Sequence, residues 1–235
     1  SNFPNKAESA TEADIAELVR ISKDRYGFDP GEFTGFTAPE TGEKTIIKLN
    51  ANINDIHRAV FLYQSDEDSL PAGGYNRFSS NWVYYAPEIE RNSITLYSDW
   101  NDRLSTKVRY STYEYLSDPY SPGLTIPEMT IYVGEDSIRL GGERYRAANK
   151  IETSSDYISF KATYDLGNHV VTAGIDIEDT SLYNLFISRY NGEVRFNSIA
   201  DYEAGEYSYL RAHVPQGGIL EVDPVAANFN LEKTT

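Results

Sequence analysis

Asp66, Glu67 and Asp68 form an acidic cluster in what the surrounding composition predicts to be a long loop. Such a cluster suggests Ca²⁺, which takes six to eight oxygen ligands. Three adjacent side chains cannot all converge on one ion, so a solvated loop is favoured over a metal site. His57 and His169 each stand just past a tight turn. That shared placement suggests a structural role at the turn, because a metal needs convergent ligands from elsewhere. With 36 acidic residues in 235, some carboxylate pair will always match the separation a glycosidase uses, so abundance alone carries no catalytic assignment. The chain has no HExxH, GxSxG, P-loop or GxGxxG pattern. It has no cysteine, which removes thiol catalysis, disulfides and cysteine-based metal sites. No enzyme activity, metal or cofactor is expected. The remaining chemistry is recognition. Asn81-Trp82-Val83-Tyr84-Tyr85 is the densest aromatic patch. Trp82, Tyr84 and Tyr85 could stack on a ligand or sugar, or mark a strand end at a membrane interface.

The elements that would position these residues are read best from Asp156–Asp179. Ile158, Phe160, Ala162, Tyr164 and Leu166 alternate with polar residues, and so do Val171, Ala173, Ile175 and Ile177 after a Gly167-Asn168 turn. Period-2 alternation on both sides of such a turn predicts an antiparallel hairpin. Each run is about eleven residues, roughly what a tilted strand needs to cross a bilayer core. Two more hairpins are predicted at Thr45–Gln64, turning at Asn52–Asp55, and at Asn92–Tyr113, turning at Asn101–Arg103. Trp100 falls on the apolar face beside the latter turn. The sequence predicts one substantial helix, Thr11–Tyr26, with Thr11 and Asp14 as a capping box and Gly27 as its C-terminal cap. Leu182–Asn197 reads as two strands around Asn191-Gly192, Ile199–Gly205 as a helical turn, and Val225–Thr235 as the start of another strand.

Tight turns of two to four residues thus alternate with connections of about 27 to 42, at Ser65–Arg91 and Glu114–Ser155. Compact soluble domains seldom carry loops that long. Outer-membrane barrels combine short periplasmic turns with long extracellular loops. The expected fold is all-β: antiparallel up-and-down hairpins, with long loops and one short N-terminal helix, as one segment of a transmembrane barrel over 1–235. Within it, 1–42 is a helix-containing loop, 43–211 holds the hairpins and long loops, and 212–235 is a loop leading into a further strand. The mean hydropathy of −0.51 excludes a helical membrane protein but not a barrel, whose strands need only alternate apolar residues. The net charge of −15 disfavours nucleic acid. Ser1-Asn2 reads as an expression scar and Thr235 as a cut end.

Lys48–Tyr63 (KLNANINDIHRAVFLY), Leu96–Tyr110 (LYSDWNDRLSTKVRY), Tyr164–Asp179 and Asn184–Gly205 together resemble the barrel of a TonB-dependent outer-membrane receptor, with the Oar-like subgroup the most similar. The helix followed by Tyr26-Gly27-Phe28-Asp29-Pro30-Gly31 resembles a loop of that group. The likeness covers most of Glu12–Gly205 and consists of strand patterns, not catalytic signatures. It lacks a plug, a TonB box and a closing strand, so it corresponds to a middle slice of a barrel. The resemblance implies energy-coupled uptake of a bulky ligand across the outer membrane of a Gram-negative bacterium. The implied partners are the rest of the barrel and plug, a TonB-type energy transducer acting through that plug, and an extracellular ligand. The rival expectation is a soluble acidic β-domain that binds carbohydrate or protein through its aromatic loops.

Overall fold

The computed structural model describes residues 9–34, 38–123 and 125–211. Along them run α1 (Glu12–Asp24), β1 (Thr41–Asn52), β2 (His57–Ala72), β3 (Val83–Tyr85), β4 (Pro87–Asp99), β5 (Leu104–Ser117), β6 (Glu128–Val133), β7 (Asp136–Leu140), β8 (Asn149–Asp165), β9 (Val170–Phe186), β10 (Glu193–Phe196), α2 (Ile199–Ala204) and β11 (Tyr209–Arg211). The fold is all-β and mostly antiparallel. A long sheet runs in the order β1-β2-β4-β5-β8-β9, with β3 added to β2. A small sheet, β11-β10-β6-β7, packs with both helices into a cap.

All three expected hairpins form, and one local device closes each. Asn54 Oδ1 accepts from the backbone N–H groups of Ile56 and His57, at 2.9 and 2.8 Å. Asn101 Oδ1 accepts from Arg103 and Leu104, at 2.9 and 3.0 Å. Asp165 Oδ1 accepts from Gly167 at 2.6 Å, and Gly167 takes a left-handed φ of 91°. Short polar side chains that bind the backbone two or three residues on set a turn before any distant contact exists. Register follows from there: Ile158 pairs with Ile177, Phe160 with Ile175, Ala162 with Ala173 and Tyr164 with Val171.

The strands are longer than the alternation suggested. β8 and β9 each have 17 residues, or about 58 Å at 3.4 Å per residue. The connection expected over Ser65–Arg91 is therefore mostly strand, since β2 continues to Ala72 and β4 begins at Pro87. Ladder pairing carries charged and polar residues into the sheet, which composition alone assigns to loops. The connection expected over Glu114–Ser155 contains the β6–β7 hairpin. Its two-residue turn places Gly134 at φ 62°, where a tight hairpin wants glycine. The expected hairpin over Leu182–Asn197 does not form. Leu182 belongs to β9, whereas β10 pairs in parallel with β6 and antiparallel with β11. The strand expected at Val225–Thr235 lies outside the described residues.

The cap has its own closed core. Leu18, Ile21, Phe78, Ile131, Ile138, Leu140 and Tyr202 are essentially inaccessible. α1 starts as its capping box requires: Thr11 Oγ1 accepts from Asp14 N–H at 3.2 Å, and Asp14 Oδ2 accepts from Thr11 N–H at 2.9 Å. Gly27 follows the helix at φ 70°. The Ile199–Gly205 turn is α2, capped by Ser198 and ended by Gly205 at φ 74°. Tyr202 on α2 stacks on Tyr26, with centroids 4.7 Å apart, and its hydroxyl meets Ser22 Oγ at 2.9 Å. These contacts join α1 to α2, 180 residues along the chain. The three tight turns lie at one end of the long sheet, and the connections that carry the cap leave from the other, as antiparallel pairing requires.

Candidate functional site

One face of the long sheet carries an uncharged band. Across β1, β2, β4, β5, β8 and β9 one row reads Leu49, Phe61, Ile94, Tyr110, Ile158, Ile177, and the next reads Ala51, Ala59, Leu96, Val108, Phe160, Ile175. Toward the turns follow Thr106, Ala162 and Ala173, then Leu104, Tyr164 and Val171. On this face each of β4, β5 and β8 is free of charge for roughly nine residues, the length that crosses a bilayer core. No second layer covers the band among the described residues: Leu49 is 60% exposed, Ile94 52%, Ile158 50% and Ile175 58%. With strands about 4.8 Å apart, the band covers roughly 800 Å², above the 300–600 Å² typical of the largest patch on a soluble monomer. Trp100 ends it on the turn side, donating its indole N–H to Thr106 Oγ1 at 2.9 Å and meeting the His57 ring edge-on. His57 Nδ1 lies 2.8 Å from Ser98 Oγ, so that histidine serves the turn region. His169 does so through its carbonyl, which accepts from Leu166 N–H.

Charge returns on the same face toward the cap. Glu67, Glu88, Glu90, Glu114 and Glu152 line a shallow cleft of about 400 Å³. The other face of the sheet is mainly polar, with Ile46, Val60, Leu62, Ile89 and Ile151 interspersed among charged and hydroxyl residues. Every lysine and arginine of the six long strands lies there except Lys150. Strand alternation sends Asp66 and Asp68 to this polar face and Glu67 to the other. The three therefore cannot share an ion, and no metal-ligating group of three occurs among the described residues. Asp66 is buried and accepts from Gln64 Nε2 at 2.8 Å.

The structure separates the aromatic candidates. Trp82 is only 2% exposed, packed so closely over Gly73 that a Cβ there would lie 2.3 Å from the indole. It is part of the protein interior and unavailable for stacking on a ligand. Tyr84 is half-buried and stacks on Tyr120, with centroids 5.0 Å apart. Tyr85 Oη accepts from Arg146 Nε and Nη2, at 3.1 and 2.8 Å. What could offer a stacking surface is thus the Tyr84–Tyr120 pair. Tyr120 lies 36 residues downstream of Tyr84, and neither residue alone signals the pairing.

A buried ionic network organises the cap's interior. Glu128 and Glu193 are 1% and 0% exposed. Arg144 bridges them, Nη1 to Glu193 Oε1 at 2.7 Å and Nε to Glu128 Oε1 at 3.1 Å. Arg189 and Arg195 reach Glu193 at 2.6 and 2.8 Å. Burial pushes the Glu193 carboxyl up, but hydrogen bonds from Arg189 and Arg195 and the charge of Arg144 outweigh it and hold the group at about 2. Burial raises Glu143 above the usual carboxylate range, although Tyr145 N–H donates to it. Such a network fixes loop geometry, and it offers no nucleophile or open coordination position.

No family model matches the chain, and no curated protein or solved structure matches it either.

Proposed function

We propose that the long sheet is part of the wall of a transmembrane β-barrel, the barrel portion of a TonB-dependent outer-membrane receptor for energy-coupled uptake of a bulky ligand. The observation that supports this function is the uncharged band: exposed, nearly one bilayer core in height, continuous over six strands and opposed by a polar face. In water such a face would require a covering layer. In lipid it needs none, provided the sheet closes and no edge is left open. The tight turns then lie on the periplasmic side. The cap, with its own core, lies on the extracellular side, where the Tyr84–Tyr120 pair could meet ligand. Plug, energy transducer and the remaining barrel strands are partners that this function requires.

Lipid-phase labelling of single cysteines in the intact parent protein tests the assignment. A bilayer-dissolved reagent should reach cysteine at positions 162 and 173, and a water-soluble reagent should reach 161 and 172. If 162 and 173 resist the lipid-phase reagent while 161 and 172 react from water, the membrane assignment is wrong and only the hairpins stand. The soluble alternative, a carbohydrate- or protein-binding β-domain, predicts that pattern.

A further inference from the structure

We propose that the turn-proximal part of the polar face binds a multivalent oxyanion, a polyphosphate or a polycarboxylate. Four cations stand on neighbouring positions of that face. Arg58 pairs with Tyr97 across β2 and β4, Tyr97 with Lys107 across β4 and β5, and Lys107 with Lys161 across β5 and β8. Arg109 stands two residues along from Lys107 on the same face. The Arg58 guanidinium carbon lies 4.6 Å and Lys107 Nζ 5.5 Å from the centre of the same Tyr97 ring. The ring holds both side chains in place without neutralising either.

Lys107 and Lys161 are directly opposed, and like charges in that arrangement destabilise a sheet. Gly174 makes the arrangement possible. It faces Lys161 on the other side, and a Cβ there would come within 2.9 Å of Lys161 Cγ. Among the described residues these four cations form one ion pair, Lys161 Nζ to Asp176 Oδ2 at 3.9 Å. That carboxylate is already engaged by the Tyr157 hydroxyl at 2.7 Å. Arg109 Nε is buried and has no protein partner. A protein of net charge −15 has therefore concentrated four cations on one face with a single long ion pair among them, in a local arrangement unfavourable to folding. An anion with several charges a few ångströms apart relieves the repulsion and supplies the missing acceptor for Arg109. Nothing in this depends on the membrane assignment, which fails or stands on positions 162 and 173.

The test uses the 235-residue chain in nonionic detergent at low salt, titrated calorimetrically with tripolyphosphate and, separately, with citrate. Binding of either is expected and should weaken as salt is raised, because the attraction is screened. Preference for tripolyphosphate would mark the site as phosphate-selective, and preference for citrate as carboxylate-selective. Lys107→Gln with Lys161→Gln should weaken binding at least about ten-fold, and Arg58→Gln should weaken it independently. Lys48→Gln, on the same face but away from the cluster, should change it less than about two-fold. A second readout is thermal. Lys161→Gln should melt higher than the unaltered protein without anion, and should lose most of the stabilisation that anion confers. The proposal is overturned if neither anion titrates by about 10 mM, if the double variant binds as tightly as the unaltered protein, or if Lys161→Gln melts lower and anion protects both proteins equally.

Discussion

Glu193 is fully buried among three arginines and is ionised in the folded cap. Its carboxyl sits at about 2, against an ordinary value of 4.5. The folded protein therefore binds this proton less readily than the unfolded chain does. The resulting stability is fully present above pH 4.5 and is lost as pH falls toward 2. Replacing one member of such a network leaves uncompensated buried charge, at a cost of about 3–5 kcal/mol. Glu193→Gln should lower cap stability by that order at pH 7, and the deficit should shrink as the unaltered protein is acidified through pH 4 to 2. Urea unfolding followed by Trp82 fluorescence, with Trp100→Phe in the background so that the buried indole reports alone, checks both statements. An equal deficit at pH 7 and pH 2 would show that ionisation of Glu193 is not the source.

Each hairpin is closed by side-chain acceptors within its own turn, so the elements of the long sheet can be specified one at a time. Asn101→Ala removes the acceptor for Arg103 and Leu104 N–H and should destabilise by about 1 kcal/mol. The effect should be local. Hydrogen exchange should quicken at the β4–β5 turn end and stay unchanged in β6, β7 and β10. Exchange that rises uniformly through the cap would mean that the sheet and the cap unfold as one unit. The helices follow the same logic of local closure, since Thr11 and Ser198 cap α1 and α2 from their own first turns. The cap strands differ. β6 and β10 are separated by 59 intervening residues, yet pair in parallel from Glu128↔Glu193 to Ile131↔Phe196. Arg144 ties the two strands together by bridging Glu128 on β6 and Glu193 on β10.

For the whole molecule, the decisive property is the difference between the two faces of the long sheet. On the lipid side of a barrel, a charge near the bilayer midplane costs about 2–4 kcal/mol, whereas the lumen side tolerates it. Ala173 lies on the uncharged band opposite Ala162, and Thr172 lies on the polar face opposite Thr163. If the sheet is the barrel wall proposed above, Ala173→Arg should sharply reduce the heat-resistant, membrane-assembled form of the protein, and Thr172→Arg should leave it near normal. Equal assembly of the two variants would mean that the band does not face hydrocarbon.

The sequence by itself determined the parts of this protein that close locally. Alternation in Ile158–Leu166 and Val171–Ile177 specified the sorting of residues between faces, because a one-residue slip would move the whole apolar set to the other side, and the turn chemistry between them fixed the register. Thr11 and Asp14 announced α1 in the same way. The β6–β7 hairpin was also legible, in the alternation of Met129, Ile131 and Val133 before Gly134, but was submerged in a region whose Gly and Pro content reads as loop. Tertiary structure alone decided the rest. It extended β2 through Asp66–Asp68, because ladder partners on β1, joined by β4 as far as Glu67, satisfy the backbone there. It buried Trp82, and it placed Tyr120 against Tyr84. It gathered Arg144, Arg189 and Arg195 around Glu193, and it brought Arg58, Lys107, Arg109 and Lys161 onto one patch from three strands. Each of those groupings brings in at least one residue tens of positions away, as Arg144 is from Glu193 and Arg58 from Lys161, and no local pattern marks it, because the side chain acquires that environment only when the strands are laid side by side.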